Sequence, residues 1–537
     1  MASHDTPPIA ALFQVIFDQK VGYTIAWQRT LPDLDLSGVE FKSLPSGLHG
    51  VKNDIVYFIH GDGQYAGISA FAQDVADKSH RNAFFCAVGV LVPLNGTQLG
   101  KSWLHASGLR ELAQQRLKHG QDSRVSELYW KQHRADNDNS GHVASPEQSR
   151  RSSGAGTKKK RAMSDVSEGL HVGDGKAADH PALHMHDFLD TFGPLIFPIY
   201  RAALSRQRIL LLGSPPVQHS CGFVYILSIL SSIPHAATDA LQPDAAEELA
   251  RTESLFSIGI SDMPTLTSRS GSNGYVATTT DDILGEKRKL YDLLVKLPSA
   301  SSDSKRRWPR LCTSEGKIIR ASQRDLRRYR LLRGELRRLS VLQSDHSDES
   351  EDDQAPLLLK TNPATNDLQH DEGEIVEPVS WTAAAYNAAI WWASAGANHL
   401  DNEAEEEWLL EQELLAELPE IDDALSANSN TASPVADDNH VNLSSKAEIA
   451  TLLTSYFHRL TTHIITNLAS LVDGADDETE AGVSEDAVSV SAEDVRNLGL
   501  DPWSESDRAF VADMVKKWFG RDAEVGKGEG WSVCRVC

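Results

Sequence analysis

The stretch RILLLGSPP at residues 208–216 decides the fold of the central part of this chain. The four aliphatic residues 209–212 are typical of a buried strand. Gly213 and the prolines at 215 and 216 end that strand in a tight turn, because glycine permits positive φ and proline fixes φ. The apolar run from Val217 to Leu230 is then long enough for a buried helix. A strand, a turn and a helix predict the first two parts of a β-α-β crossover, and hence an α/β domain.

Short β-rich runs extend this pattern in both directions. Downstream, residues 255–260 and 275–278 supply further strands, and the domain ends near Pro298. Upstream, five runs rich in Val, Ile, Phe and Tyr, separated by Gly or Pro, predict an antiparallel sheet followed by two helices. The five runs are Leu12 to Phe17, Tyr23 to Gln28, Asp54 to Ile59, Tyr65 to Phe71 and Phe84 to Val92.

The remainder of the chain has a helical pattern. Residues 305–338 hold thirteen Lys/Arg against three Asp/Glu, with leucines at helical spacing, which predicts a basic amphipathic helix. Ser445 with Glu448 forms a capping box before a long apolar stripe, and Ser504 with Asp507 repeats it in weaker form. Gly520 stands where a helix C-terminus needs a left-handed residue.

The predicted fold is α/β: an α+β N-terminal lobe, a central α/β lobe and a helical C-terminal part, with long disordered inserts. The inserts are assigned where large apolar residues are scarce. The boundaries are 9–134 for the first lobe, 135–182 for a disordered linker, 183–300 for the central lobe, 301–343 for the basic helical segment, 344–378 for an acidic disordered insert and 379–537 for the helical region.

Composition excludes several classes of protein. The 52 Lys+Arg stand against 76 Asp+Glu, a net charge of −24, so nucleic acid is not expected as the main partner. Five cysteines do not form a disulfide framework, which favours a reducing compartment. Neither a secretory signal nor a membrane span of about 18 apolar residues is visible, so we expect a cytoplasmic protein, at most peripheral on internal membranes.

Motifs for bond-making chemistry are missing from the sequence. No segment matches a P-loop, and the Gly-rich run at 61–66 fits a hairpin turn better than a dinucleotide fingerprint. His184, His186 and Asp187 have metal-ligand side chains but no partner cluster in the sequence, and a surface or capping role is favoured. Cys534 and Cys537 have zinc-like spacing without a second pair. We therefore predict no catalytic residue, no metal and no cofactor.

Several segments resemble DENN-domain proteins, most closely the LCHN-like branch. The run LDLSGVEFKSLPSG at 34–47, followed by DIVYF at 54–58, is similar to the family's N-terminal module. The stretch 208–216 resembles the opening of the central DENN module, and 255–264 and 274–284 look like its next two segments in the right order. Residues 498–507 resemble the closing segment of this branch.

The resemblance implies a longin-like N-terminal lobe, a central DENN lobe and a helical tail. Family members act as guanine-nucleotide exchange factors for Rab GTPases: they bind the switch regions and stabilise the nucleotide-free state, which requires no nucleophile. The implied partner is thus a Rab-type small GTPase in vesicle traffic. The alternative is a non-catalytic DENN-like adaptor or scaffold. Oligomeric state is not readable from the sequence.

Two groups of residues are candidates for contacts. The candidates for the GTPase are the exposed ends of the resembling segments: Gly213, Ser214, Pro215, Pro216, Asp262, Thr279 and Asp281. Each also has a structural alternative, since Asp281 stands at a helix N-cap position and Gly213 with the prolines turns the chain. The candidates for an anionic membrane or an acidic partner are Arg327, Arg328, Arg337 and Arg338, for which an ordinary solvated helix face is the alternative.

Overall fold

The computed structural model describes residues 6–18, 20–61, 63–73, 85–94, 99–119, 123–135, 179–241, 250–269, 274–298, 308–345, 374–378, 409–415, 438–480 and 487–526. Mixed α and β structure fills these ranges, as the sequence predicts. The inserts predicted at 135–182 and 344–378 lie almost entirely outside the described residues.

Thirteen strands and thirteen α-helices have bounds within the described ranges. The strands are β1 Ala11–Asp18, β2 Gly22–Thr30, β3 Asn53–His60, β4 Tyr65–Gln73, β5 Phe85–Pro93, β6 Ile209–Leu212, β7 Glu253–Ser257, β8 Tyr275–Thr279, β9 Leu293–Lys296, β10 Arg310–Thr313, β11 Ile318–Ile319, β12 Ala487–Val490 and β13 Asp522–Val525. The helices are α1 Val39–Lys42, α2 Ala106–His119, α3 Arg124–His133, α4 Met185–Phe192, α5 Ile196–Leu204, α6 Val217–Leu230, α7 His235–Thr238, α8 Met263–Ser268, α9 Asp282–Glu286, α10 Gln323–Asp345, α11 Asp438–Glu480, α12 Ala492–Asn497 and α13 Glu505–Met514.

The chain forms two compact units. Unit 1 comprises residues 1–188, 208–229 and 253–306, and unit 2 comprises 189–207, 230–252 and 307–537. Unit 1 holds the strands of both the N-terminal and the central predicted lobes. Unit 2 contains α10 to α13 together with the segments around α5 and α7.

Nine strands of unit 1 lie side by side in a sheet, in the order β9-β6-β8-β7-β3-β4-β5-β1-β2. The strands β9, β6, β8 and β7 run parallel to one another, as the predicted crossover requires. Strand β3 pairs antiparallel with β7, and the strands from β3 to β2 also pair antiparallel. Strands β3 and β4 pair antiparallel up to His60 with Tyr65, so a hairpin connects them and the predicted turn role of the run that starts at Gly61 is confirmed. All five N-terminal strand predictions are confirmed to within two residues at each end.

Close packing across the antiparallel strands of unit 1 depends on glycine. A Cβ added at Gly67 in β4 would lie 2.2 Å from the Phe58 ring on β3. Phe58 pairs with Gly67 in the strand register and is fully buried. A larger residue at 67 would displace this aromatic side chain from the core, and overpacking of this kind is destabilising.

Unit 2 is built around the long helix α11 and buries charged side chains. Arg201 donates two hydrogen bonds to Asp325, at 2.8 and 2.6 Å, and its guanidinium also lies 2.9 Å from Asp507. Arg328 forms an ion pair with Glu411, which also accepts a hydrogen bond from Tyr456. All of these charged side chains are buried, and burial of charge is tolerated only when partners of this kind are in place.

Three predictions for unit 2 require correction. Residues 310–319 form the β10-β11 hairpin, so the basic helix begins at Gln323 and not near Lys305. Arg328 is 2 % exposed and paired with Glu411, so it cannot belong to a surface patch. Ser445 lies inside α11, which begins at Asp438, and therefore it does not cap the helix.

Two helix-end predictions in unit 2 are confirmed. The Ser504 side chain accepts a hydrogen bond from the Asp507 amide at the start of α13. Gly520 adopts φ 68° after the π-helical turn Val515–Phe519, which continues α13. Among the helices in the described ranges, none is both long and apolar enough to cross a membrane.

Asp507 gives unit 2 a characteristic pH dependence. Burial, reinforced by the nearby Asp325 carboxylate, raises the pKa of Asp507 to about 7, although Arg201 opposes the shift. Between about pH 4 and pH 7 the folded state therefore holds a proton on Asp507 that the unfolded state has released. Protonation of Asp507 stabilises the folded state at low pH, and this stabilisation is lost as the pH rises from about 4 to 7. We expect Asp507→Asn to flatten the fall in melting temperature across this interval, as measured by thermal unfolding at each pH.

Asp522→Asn is the matched control, because Asp522 is exposed and pairs only with Lys516 among the ion pairs found in unit 2's described residues. Its melting curve should follow the wild-type pH dependence. Parallel pH profiles for Asp507→Asn and the wild type would show that Asp507 is ionised throughout.

Candidate functional site

The ends of the parallel strands of unit 1 meet along one side of the sheet. Parallel strands place their carboxyl ends at the same edge, where ligands of open α/β sheets commonly bind. The segments that follow β6, β7 and β8 are 213–216, 258–262 and 280–283, and we call them the carboxyl edge. Backbone hydrogen bonds join the first two segments to the end of β8, from the Gly213 amide to the Thr279 carbonyl at 3.1 Å and from the Ile258 amide to the Thr278 carbonyl at 2.9 Å.

A loop from the N-terminal part of unit 1 reaches the carboxyl edge. The Ser46 hydroxyl donates a hydrogen bond to the Asp281 carboxylate across 235 residues of sequence. Gly47 adopts φ +84°, and a Cβ added there would lie 3.5 Å from the Pro215 ring. The stretch around 46 and 47 therefore belongs to the same surface as the candidate contact residues.

Asp54 fixes the start of α6, which leads directly out of the carboxyl edge. Its Oδ2 accepts from the Val217 amide at 2.6 Å and its Oδ1 from the Gln218 amide at 3.1 Å. Burial raises the pKa of Asp54 to about 6, while these backbone hydrogen bonds act in the opposite direction. A carboxylate at this position satisfies helix amides that otherwise have no partner and interacts favourably with the helix dipole.

The predicted contact residues differ in accessibility. Ser214 and Pro216 are exposed, and Gly213 and Pro215 are partly exposed. Asp281 is partly exposed and bonded to Ser46. Thr279, in contrast, is only 1 % exposed, and its Oγ1 accepts from the Asp281 amide at 3.2 Å. Thr279 therefore supports the edge from inside, which corrects its prediction as a contact residue.

Asp262 lies beside a surface pocket of about 280 Å³ whose lining includes Lys42, His60 and Arg269. Its Oδ1 is 2.8 Å from the Lys42 ammonium, and its Oδ2 accepts from the Gly259 amide at 3.0 Å. Lys42 also donates to the Ile59 carbonyl at 2.8 Å. The pocket wall is thus held by a partly buried ion pair that links α1 to the segment before α8.

Three exposed apolar side chains lie on segments of unit 1 that approach Asp281. Phe41, Ile260 and Ile283 are 49 %, 46 % and 50 % exposed. The Phe41 ring lies 6.5 Å from that of Tyr23, whose pKa is raised by burial and by the Asp281 charge. Ile260 adjoins Gly259, where an added Cβ would be 3.7 Å from the Asp281 carboxylate. Exposed aromatic and aliphatic groups beside polar ones are typical of protein-binding surfaces.

Metal-ligand side chains of unit 1 cluster outside the carboxyl edge. In the described part of unit 1, the metal-ligand side chains that cluster are His184, Asp187 and His219, which are not residues of the carboxyl edge. Sequence reasoning missed Lys42 and Ser46 as residues of this surface. Both lie in the run 34–47 that carries the resemblance, but no local pattern indicates their contacts with Asp262 and Asp281.

Three of the four arginines predicted to form a surface patch on α10 are exposed. Arg327, Arg337 and Arg338 are exposed, and Arg338 pairs with Glu335 at 2.8 Å. An 11-residue separation corresponds to about three helical turns, so Arg327 and Arg338 share one face of α10.

Comparison with known proteins gives matches along most of the chain. The sequence profile of DENN domain-containing protein 11 matches residues 12–307, and that of a domain of unknown function, DUF4484, matches 376–486 and 478–537. The uncharacterized protein ANR2 of Saccharomyces cerevisiae is 26 % identical over 564 residues, covering 97 % of this chain and 93 % of that protein.

Vertebrate relatives match a shorter part. DENN domain-containing protein 11 of Xenopus laevis is 29 % identical over 325 residues, covering 60 % of this chain and 66 % of that protein. The protein of the same name from Rattus norvegicus is 30 % identical over 290 residues, covering 53 % of this chain and 57 % of that protein. Less than two thirds of each vertebrate protein is therefore matched.

Removal of the Asp54 carboxylate tests its role at the start of α6. We expect Asp54→Ala to lower the free energy of unfolding by roughly 1–3 kcal/mol, because the Val217 and Gln218 amides lose their buried acceptor. Hydrogen exchange of the first amides of α6, which follow residues 213–216, should become faster. The measurements are denaturant unfolding and hydrogen–deuterium exchange.

Asp54→Asn should lower the free energy of unfolding less than Asp54→Ala does, since the asparagine amide oxygen can still accept one hydrogen bond. Glu286→Ala, at an exposed acidic position in the same unit, should leave both observables near the wild-type values. Equal stability of Asp54→Ala and the wild type would contradict the capping role.

Proposed function

Because the profile match at 12–307 covers more than half of its 537 residues, the chain belongs to the DENN domain-containing protein 11 family, and we propose that it is a guanine-nucleotide exchange factor for a Rab-type small GTPase. The observation that carries the proposal is the carboxyl edge, with its exposed apolar side chains around Asp281. The proposal places this protein in vesicle traffic, at the surface of internal membranes.

The chemistry of the carboxyl edge supports a protein partner over a small molecule. Phe41, Ile260 and Ile283 offer apolar area, and the Lys42–Asp262 pair and Asp281 offer polar contacts beside them. Protein interfaces combine a few apolar anchors with a polar rim. The prearranged contact between Ser46 and Asp281 fixes the surface before binding, which lowers the entropic cost of association.

Exchange requires differential binding and no covalent step. A factor that binds the nucleotide-free GTPase more tightly than the GDP-bound form shifts the population toward nucleotide release. Each tenfold preference corresponds to about 1.4 kcal/mol of binding free energy. Binding residues without a catalytic nucleophile are therefore sufficient, provided that they contact a part of the GTPase that changes with the nucleotide.

The alternative is a non-catalytic adaptor or scaffold with the same fold. An adaptor would bind its GTPase without accelerating nucleotide release, and its affinity would not favour the nucleotide-free form. Catalytic amounts of the protein therefore distinguish the two functions, since an exchange factor turns over and an adaptor does not.

A second contact with an anionic membrane is proposed for α10. Arg327, Arg337 and Arg338 are exposed on this helix and carry charge of one sign. A basic residue near an anionic bilayer contributes about 1 kcal/mol. Such a contact would hold the exchange factor at the membrane where a lipid-anchored GTPase resides.

Substitutions at the carboxyl edge test the exchange function. We expect the wild type to accelerate release of a fluorescent GDP analogue from one member of a Rab panel. Ile260→Asp and Ile283→Asp should each reduce the rate at least roughly tenfold, because a charge replaces an apolar anchor in a desolvated contact. The measurement is fluorescence decay with substoichiometric protein.

Leu128→Asp is the matched control. Leu128 is 65 % exposed on α3 and is also aliphatic, so its substitution tests surface charge alone and should leave the rate near that of the wild type. If both Ile260→Asp and Ile283→Asp retain full activity, the carboxyl edge is not the contact. If no GTPase in a broad panel responds to the folded wild type, the adaptor function is favoured.

Charge reversal on α10 tests the membrane contact. The triple variant Arg327→Glu, Arg337→Glu and Arg338→Glu should lose co-sedimentation with anionic liposomes, by roughly fivefold in affinity for each arginine. Its exchange activity in solution should remain near that of the wild type. Unchanged co-sedimentation of the folded variant would contradict membrane docking through this face.

A further inference from the structure

Two histidines and an aspartate converge in unit 1, none of them a residue of the carboxyl edge. His184 ends the short 3₁₀ turn Pro181–His184, and Asp187 lies in the first turn of α4. His219 lies in the first turn of α6, more than thirty residues further along the chain. The Asp187 Oδ2 is 3.2 Å from the His184 Nδ1 and 3.6 Å from the His219 Nδ1.

These separations match those of ligands around one small cation. Zinc binds imidazole nitrogen and carboxylate oxygen at about 2.0–2.2 Å, and tetrahedral ligands at these bond lengths are roughly 3.3–3.6 Å apart. The three ligand atoms all lie within 4.8 Å of one another. A single ion can therefore be reached by all three with small side-chain rotations.

The backbone of α6 is shaped to accept the His184 ring. Gly222 follows His219 by about one helical turn, and a Cβ added at Gly222 would lie 2.8 Å from the His184 Cδ2. Any larger residue at position 222 would therefore displace the His184 imidazole from this position beside α6. The two rings are 4.6 Å apart between centroids, so the glycine allows the close approach that shared coordination requires.

The cluster is open to solvent on one side. The side chains of His184, Asp187 and His219 are 19 %, 43 % and 52 % exposed, so an ion has an entry path. Three protein ligands leave the fourth tetrahedral position to water. Two neutral imidazoles and one carboxylate form a donor set that suits zinc and its neighbours in the first transition row better than magnesium or calcium.

We propose that His184, Asp187 and His219 bind one divalent transition-metal ion, of which zinc is the probe to use. The ion ties the segment before α4 to the first turn of α6. It thereby stabilises α6, the helix that Asp54 of β3 caps and that directly follows residues 213–216. This site does not depend on the proposed exchange activity.

Zinc titration into the full-length chain tests the proposal. The protein is freed of any affinity tag and carries Cys534→Ser and Cys537→Ser, because the terminal Cys pair has zinc-like spacing of its own. We expect one equivalent of Zn²⁺ by isothermal titration calorimetry and a rise in melting temperature with Zn²⁺. Substituted Co²⁺ should give the visible absorption of a tetrahedral nitrogen and oxygen site.

Four variants and one control identify the ligands. His184→Ala, His219→Ala and Asp187→Asn should each weaken Zn²⁺ binding by at least roughly tenfold, and Gly222→Ala should do so although it removes no ligand. His235→Ala, which removes an exposed histidine on α7, should leave binding unchanged.

Circular dichroism establishes whether each variant is folded. If an alanine variant does not fold, Asp187→Asn still tests the site, because asparagine retains the shape of the native side chain. Absence of stoichiometric Zn²⁺ binding by the folded chain would overturn the proposal. Binding that survives both histidine substitutions would place the ion elsewhere and would equally overturn it.

Discussion

The buried carboxylate of Asp54 holds the N-terminus of α6 and joins two parts of unit 1 that are 163 residues apart in sequence. Its position at the start of β3 makes the antiparallel half of the sheet the support for a helix of the parallel half. The loop 213–216 immediately precedes that helix, so its geometry depends on this contact. The hydrogen bond from Ser46 to Asp281 at the carboxyl edge also joins the antiparallel half of unit 1 to the parallel half.

The interior of unit 2 contains buried pairs of oppositely charged side chains. Arg201 lies between Asp325 and Asp507, and Arg328 lies against Glu411. Such pairs do not add much net stability relative to apolar packing, but loss of one partner leaves a buried charge without compensation. They fix which helices can pack together, since each arginine requires its own carboxylate.

The sequence predicts the fold where patterns are local. The strands from Leu12 to Val92 and the run 208–216 alternate or concentrate apolar residues in ways that distinguish strands from helices, and the structure has them in those places. The hairpin at 310–319 was missed because its basic residues continue the charge of the following helix. Ser445 was misassigned because a capping-box pattern also occurs inside a helix that begins earlier. Contacts such as Lys42 with Asp262, and the partnership of His184 with His219, join residues that no spacing rule connects.

We propose that a small GTPase docks on the carboxyl edge of unit 1. Hydrogen–deuterium exchange of this chain, with and without a nucleotide-free Rab that binds it, is the measurement that bears on this contact. We predict slower exchange at 213–216, 258–262 and 280–283, and weaker protection when the same Rab carries GDP. Protection confined to α10 or to other parts of unit 2, with these three segments unchanged, would show that the GTPase does not dock on the carboxyl edge.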